Sequence, residues 1–202
     1  LGAYASLAGI SLANAQAYDE LQKERNTLEA RVKARTKDLA EALDKSDRLL
    51  LNILPSEVAD ELKEKGEVTP VHFESVTIMF TDFKDFTHIA EGMSPSQLIR
   101  ELDGYFTQFD KTIERYHLEK LKTIGDSYMC AGGIPRISNT HQVEACLAAL
   151  EIQSFMSQMK EVKEKMKEPF WELRLGIHTG SVMAGVVGEK KFAYDVWGDT
   201  VN

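Results

Sequence analysis

Two aspartates at the ends of predicted strands constrain the fold of this chain more than any other feature of its sequence. Asp82 closes the apolar run 76–81, and Asp126 lies in a tight turn between the runs 118–124 and 127–132. A carboxylate at the end of a buried strand is costly unless it is paired, and two such carboxylates repel each other. We therefore expect a fold that brings Asp82 and Asp126 together around Mg²⁺ or Mn²⁺, because these hard cations prefer oxygen ligands.

The order of the predicted elements favours such a fold. Hydrophobic patterns and turn residues predict strands at about 75–82, 118–124, 127–132, 170–179, 181–187 and 191–197, and helices at about 84–91, 94–116 and 140–167. This β-α-β-β-α-β order is typical of the ferredoxin-like α+β fold. There the first strand is central and the hairpin is its neighbour, so Asp82 and Asp126 should meet. Taken singly, Asp82 can also be a helix cap and Asp126 an ordinary turn residue.

A heptad repeat precedes this region. Its a and d positions are mostly apolar and the intervening positions are charged, which favours a two-stranded parallel coiled coil. The a positions are Tyr18, Arg25, Val32, Leu39, Ser46 and Ile53, and the d positions are Leu21, Leu28, Arg35, Ala42 and Leu49. A single solvated helix packed on its own domain is the alternative. Arg25 and Arg35 weaken the seam, as a helix pair that changes register can tolerate.

These patterns divide the chain into four predicted segments. Residues 1–17, rich in Ala and Leu, look like the last helix of an upstream domain, and residues 18–53 form the coiled coil. Residues 54–74 hold a short helix at 56–65 and a linker, and residues 75–202 form the C-terminal domain. The chain starts inside a helical pattern and stops within a motif, so we expect it to be part of a longer protein.

Charge and hydropathy exclude two classes of partner for this segment. The net charge of −8 argues against nucleic-acid binding, which needs a basic face. No apolar run approaches the roughly 18 residues of a membrane span, so we expect no membrane contact from this segment. These features indicate a cytoplasmic domain and leave an upstream membrane anchor open.

Residues 75–202 resemble the catalytic domain of class III nucleotide cyclases. Four segments carry the resemblance, in order: Phe-Thr-Asp-Phe-Lys-Asp-Phe-Thr at 80–87, Lys-Thr-Ile-Gly-Asp at 122–126, Leu-Gly-Ile-His-Thr-Gly at 175–180, and Tyr-Asp-Val-Trp-Gly-Asp-Thr-Val-Asn at 194–202. Asn-Ile-Leu-Pro at 52–55 and the helix after it resemble the transducer element that precedes such domains. The stretch through residue 17 is similar, more weakly, to the closing helix of a GAF-type sensor domain.

The resemblance implies a reaction and a metal site. Asp82 and Asp126, with the Phe83 carbonyl, would hold two Mg²⁺ or Mn²⁺ ions per active site. The ribose 3′-hydroxyl would attack the α-phosphorus and give a 3′,5′-cyclic nucleotide and pyrophosphate, with the two ions clamping the attacking and leaving oxygens. Backbone N–H groups around Phe86 and Thr87 would bind phosphate oxygens.

Two positions bear on how complete this site is. The family commonly has Gly where this chain has Asp85, and a carboxylate there repels a triphosphate unless it points away. Asn202 matches the Asn that orients the ribose in the transition state. The family's transition-state Arg and a triphosphate-binding Lys come after Asn202, so this segment by itself can be inactive.

Two further residues predict which nucleotide base the site recognises. Lys122 is a pure hydrogen-bond donor and Asp195 a pure acceptor. They suit adenine, which accepts at N1 and donates from its 6-amino group, whereas family members that use guanine carry Glu and Cys at these positions. We therefore predict an adenylate cyclase that converts ATP to 3′,5′-cyclic AMP. The alternatives are a guanylate cyclase and a catalytically silent regulatory domain; no Gly-Gly-Asp-Glu-Phe run indicates a diguanylate cyclase.

The resemblance also implies a homodimer. In the family, the metal ligands and the base-reading residues face each other across a dimer interface. One chain that carries both sets would form two equivalent sites with a second copy of itself. A parallel coiled coil would hold the two catalytic domains side by side.

Overall fold

A computed structural model describes residues 2–188 and 191–202. The chain divides after Asn52 into a helical unit and an α+β unit. Within the described residues, no helix is both long enough and apolar enough to cross a membrane.

The helical unit is one long helix, α1 (Gly2–Leu51), which runs without a break through the predicted boundary between residues 17 and 18. Ion pairs one turn apart support it, such as Lys23–Asp19 at 3.1 Å and Arg48–Asp44 at 2.8 Å. The predicted a and d residues are exposed, including Leu21 at 69%. The helix ends before Ile53, the last predicted a position, and a coiled-coil partner stays a prediction.

The α+β unit contains four helices and five strands in its described residues. They are α2 (Ser56–Lys65), β1 (Val71–Phe83), α3 (Phe86–Ala90), α4 (Pro95–Arg115), β2 (Glu119–Ile124), β3 (Ser127–Gly132), α5 (His141–Met166), β4 (Leu173–Val187) and β5 (Ala193–Trp197). Local signals set several boundaries. Ser94 and Gln97 form a capping box at the start of α4, and Gly66 ends α2 in the left-handed conformation.

The sheet has the order β2-β3-β1-β4-β5, and every neighbouring pair is antiparallel. The first four strands have the ferredoxin-like order, with β1 between β3 and β4, and β5 extends the sheet beyond β4. The predicted α+β class and the central place of the first strand are confirmed.

One expected break between strands is absent. The expected strands 170–179 and 181–187 are a single strand, β4, which passes through Gly180 and pairs it with Val76. A Cβ at Gly180 would lie 2.5 Å from the Thr200 hydroxyl, so the glycine permits a close approach. The second half of β4 also pairs with residues 71–73, which is why β1 begins at Val71, before the predicted residue 75.

The core lies between the sheet and the two long helices. Met79 and Phe83 of β1 and Tyr128 and Cys130 of β3 contribute buried side chains from the sheet. Helices α4 and α5 bury Tyr105, Phe109, Ile113, Ala145, Ala148, Ala149, Ile152 and Met156. This packing fixes the ends of β1 and β3, where the predicted metal ligands lie.

Candidate active site

The structure brings Asp82 and Asp126 together at the shared end of β1 and β3. Thr81 pairs with Tyr128 in the register of the two strands, so the next residue of β1 reaches the β2–β3 turn. The Phe83 N–H donates to Asp126 Oδ2 at 3.2 Å, and the Ser127 hydroxyl donates to Asp82 Oδ1 at 3.2 Å. Asp126 is thus held by a donor from the end of β1, and Asp82 is held by a donor from the start of β3.

Electrostatics at this pair favour a cation. Burial raises the pKa of Asp126, and the neighbouring Asp82 charge raises it further, while the Phe83 N–H acts in the opposite direction. Arg174 of β4, opposite Asp82 in the register, forms an ion pair with Asp82. The strands therefore force two carboxylates close together, and a positive charge already lies beside one of them.

The donor set suits Mg²⁺ or Mn²⁺. Within the described residues, no group of three or more His, Cys, Asp or Glu side chains could enclose a metal ion. An ion at Asp82 and Asp126 would need further oxygens from backbone carbonyls, water or substrate. Mg²⁺ commonly binds in this way, through one or two carboxylates and the phosphates of a substrate.

Aromatic packing fixes the backbone around this pair. The Phe83 ring is buried 5.3 Å from Trp171, and the Phe86 ring lies 5.2 Å from the same indole. Both rings face the core, so only their backbone groups can contact a metal ion or a phosphate. Thr87, the second residue of α3, is exposed.

Asp85 precedes α3 in the left-handed conformation, with φ of 53°. Glycine adopts this region most easily, and Asp is among the few other residues that tolerate it. The backbone shape expected of a glycine is therefore kept. The Asp85 side chain makes no capping hydrogen bond to α3 and is exposed.

The predicted base-reading residues also meet. Lys122 of β2 and Asp195 of β5 form an ion pair, although β2 and β5 are the two outer strands in the sheet order. The Lys122 side chain is 40% exposed and that of Asp195 16% exposed. The second carboxylate oxygen of Asp195 accepts the Val196 N–H at 2.9 Å. A donor and an acceptor thus lie side by side.

Asn202 lies in the turn after β5, is exposed, and donates its N–H to the Asp199 carbonyl at 3.2 Å. Thr200 anchors this turn by donating its hydroxyl to the Ser181 carbonyl at 2.6 Å. In the part of the chain that the structure describes, no hydrogen bond or ion pair joins Asn202 or the Lys122–Asp195 pair to Asp82 or Asp126. These groups of predicted site residues are therefore not bonded directly to each other.

Residues 68–202 match the model of the adenylate and guanylate cyclase catalytic domain. The chain belongs to this family. The match begins before the predicted boundary at residue 75 and includes the whole of β1.

Curated relatives of this cyclase domain include both types of enzyme. Human guanylyl cyclase C is 40% identical over 183 residues, which cover 90% of this chain and 17% of the relative. The adenylate cyclase of Mycobacterium bovis is 38% identical over 160 residues, which cover 79% of this chain and 35% of the relative. The chain thus spans only a sixth to a third of these proteins, and their names do not separate the two substrates.

Solved cyclase structures share the fold. The catalytic core of a rhodopsin-guanylyl cyclase with converted specificity, in complex with ATPαS, has a TM-score of 0.59 and 31% identity, covering 66% of this chain and 70% of that chain. The adenylyl cyclase CyaB from P. aeruginosa has a TM-score of 0.62, covering 66% of this chain and 70% of that chain. Its identity of 23% supports the fold alone.

Sequence reasoning missed three contributors to the cyclase site. Arg174 and Ser127 contact Asp82, and Thr200 anchors the turn that carries Asn202. Arg174 and Thr200 are distant in sequence from their partners, so only the strand register and the folded turn reveal them. Ser127 follows Asp126 directly, and the hairpin signal could have suggested its proximity to Asp82.

Proposed function

We propose that this cyclase domain is the catalytic part of an adenylate cyclase, which converts ATP to 3′,5′-cyclic AMP and pyrophosphate as a homodimer. The observation that carries the choice of base is the Lys122–Asp195 pair. Because relatives of similar identity include both adenylate and guanylate cyclases, overall similarity does not decide the substrate.

Hydrogen-bond chemistry makes this pair selective for adenine. The Lys122 ammonium can donate to adenine N1, and the Asp195 carboxylate can accept from the 6-amino group. Guanine presents an N–H donor at N1 and a carbonyl acceptor at position 6, so both contacts would face the wrong partner. A half-buried site with mismatched donors and acceptors rejects the wrong base strongly, because its polar groups stay unpaired.

Asp82, Asp126 and the Phe83 carbonyl would hold Mg²⁺ or Mn²⁺, which when bound promotes ionisation of the ribose 3′-hydroxyl and offsets negative charge on the triphosphate. The Phe83 N–H keeps Asp126 oriented toward this position. The backbone at the start of α3, fixed by the packing of Phe86, would donate to phosphate oxygens. Asn202 would orient the ribose so that its hydroxyl lies in line with the α-phosphorus.

The arrangement of the site residues supports a dimer. Within the described residues, no hydrogen bond or ion pair joins the base-reading pair to the carboxylate pair. A second copy that faces the first would join one pair from each chain. Two equivalent sites would result. The exposed a and d residues of α1, such as Leu28 and Val32, support a coiled coil between the two copies. Because its proposed substrate is ATP, we propose that the catalytic domain acts in the cytoplasm.

The test is a product assay on the intact protein. ATP or GTP is supplied with Mn²⁺, and cyclic products are separated by chromatography. We expect cyclic AMP to exceed cyclic GMP, and Asp82→Ala to abolish both. A preference for GTP would identify a guanylate cyclase and refute the base assignment. Absence of any cyclic product would favour a catalytically silent regulatory domain.

A further inference from the structure

Strand β2 carries a bulge between Lys120 and Lys122. Lys120 pairs with Cys130 of β3, and Lys122 pairs with Met129, the residue directly before Cys130. Successive side chains of β3 point to opposite faces of the sheet, and Cys130 belongs to the core between the sheet and the two long helices. Lys120 therefore lies on the helix face and Lys122 on the opposite face. In a regular strand, two residues with this spacing would share one face.

Asp110 of α4 holds the helix face of the β2–β3 hairpin. The Tyr128 hydroxyl of β3 donates to Asp110 Oδ1 at 2.5 Å, and the Lys120 ammonium of β2 donates to Asp110 Oδ2 at 2.9 Å. The same ammonium lies 5.1 Å from the centre of the Tyr128 ring. Tyr128 lies opposite Thr123, after the bulge, whereas Lys120 lies before it. One carboxylate thus binds the hairpin on both sides of the bulge.

The two contacts of Asp110 differ in strength. The Tyr128 side chain is fully buried, and its ring lies 5.5 Å from Phe106 and 5.6 Å from Phe109 of α4. Burial and the Asp110 carboxylate raise the pKa of Tyr128, so its hydroxyl stays protonated and donates. The side chains of Lys120 and Asp110 are 40% and 44% exposed, so their ion pair adds little stability by itself. Stability alone therefore gives little reason for the Lys120 contact.

The bulge lets two lysines of one strand reach different partners. Lys120 forms its ion pair with Asp110 on the helix face. Lys122 forms its ion pair with Asp195 of β5. In a regular β2, both lysines would lie on one face, and only one of these ion pairs could form. The contact of Lys120 with Asp110 therefore favours the register in which Lys122 meets Asp195.

We propose that Asp110 is a positioning residue for base selection. By holding Lys120 and Tyr128, it keeps β2 in the bulged register, which leaves Lys122 on the face where it meets Asp195. The effect on the choice of base rests on the proposed function, whereas the effect on the register does not.

Nucleotide selectivity tests this role. Asp110→Ala removes the acceptor of both contacts, so the ratio of kcat/KM values for ATP and GTP should fall at least about fivefold, mainly through a higher KM for ATP. Asp103→Ala makes the same change at an exposed position earlier on α4 and should keep the wild-type ratio. Lys120→Met removes only the exposed partner and should also lower the ratio, so it tests the proposal even if Asp110→Ala does not fold. An unchanged ratio in every folded variant, with activity lowered equally for both nucleotides, would make Asp110 a purely structural residue and overturn the proposal.

A chemical cross-link measures the register without turnover. A carbodiimide condenses an amine with a carboxylate that touches it, so it should join Lys122 to Asp195 in the intact wild-type protein. Peptide mass spectrometry measures the yield, which should fall several-fold in Asp110→Ala and stay unchanged in the α4 control. The ion pair Lys84–Glu172, at 3.5 Å and outside the hairpin, provides an internal reference.

The two measurements separate the ways in which the proposal can fail. If the cross-link yield is unchanged in Asp110→Ala and Lys120→Met, Asp110 does not hold the register and the proposal is wrong. If the yield falls but the ratio for ATP and GTP does not, the link to base selection is wrong. If no variant forms cyclic nucleotide, the proposed function fails, and cross-linking alone still decides whether Asp110 positions Lys122.

Discussion

Asp126→Asn separates a metal ligand from a structural aspartate. The substitution removes one charge from the Asp82–Asp126 pair and keeps a carbonyl oxygen that can accept the Phe83 N–H, now 3.2 Å from Asp126 Oδ2. A structural aspartate would lose stability on this change. If the two carboxylates are instead kept close together to bind a metal, the variant should lose activity. The metal-free variant should then be more stable than the metal-free wild type, because one repelling charge is gone.

The structure limits the size of that gain. Two unit charges about 4 Å apart repel by about 1 kcal/mol in water and about 4 kcal/mol at an effective dielectric constant near 20. The Asp82 side chain is 40% exposed and is paired with Arg174, so the lower figure applies. We expect Asp126→Asn to raise the free energy of unfolding in EDTA by up to about 1 kcal/mol. Turnover should fall at least about 1000-fold, which corresponds to about 4 kcal/mol of barrier.

Urea unfolding with EDTA or Mn²⁺ provides the assay. Mn²⁺ at about ten times its Kd should stabilise the wild type by about 1.4 kcal/mol and leave Asp126→Asn unchanged. Asp103→Asn, an exposed change on α4, controls for the altered net charge. Destabilisation of Asp126→Asn by more than about 1 kcal/mol in EDTA, or equal stabilisation of both proteins by Mn²⁺, would refute the reasoning.

Three further outcomes are expected. Lys122→Glu combined with Asp195→Cys should shift the ratio of kcat/KM values from ATP toward GTP, and an unchanged ratio would mean that these residues do not read the base. Deleting four residues within α1 should change basal activity more than deleting seven, which preserves the heptad phase; equal effects would make α1 a simple tether. Gly180→Ala should displace the Thr200 hydroxyl and cost about 1–3 kcal/mol of stability, whereas Gly176→Ala, which has open space, should cost less than Gly180→Ala.

Local signals predicted most of the fold. The helix at 56–65 was expected with the bounds that the structure shows, because Pro55 and Gly66 mark its ends. The Gly125–Asp126 turn predicted the β2–β3 hairpin, and the element order predicted a central first strand. The meeting of Asp82 and Asp126 follows from that topology, so it could be predicted without any knowledge of side-chain contacts.

The errors share one cause, which is long-range packing. The sequence predicts separate strands on the two sides of Gly180, yet the strand continues there and the glycine admits Thr200 from the segment after β5. The pairing of Arg174 with Asp82 depends on the register between β4 and β1, and no local pattern specifies that register.

Complementation between two inactive variants tests a shared active site more directly than a measurement of the dimer's molecular mass. Asp126→Asn disables the carboxylate pair and Lys122→Glu disables the base-reading pair. No hydrogen bond or ion pair joins these pairs in the described part of one chain. If each active site joins one pair from each copy, a mixed dimer of the two variants contains one intact site and one doubly defective site. Random pairing makes half of the dimers mixed, so co-expression should restore about a quarter of wild-type activity. Sites formed within single chains would give no recovery, because every chain carries a defect. Chromatography of cyclic AMP from the co-expressed variants, compared with each variant alone, decides between the two.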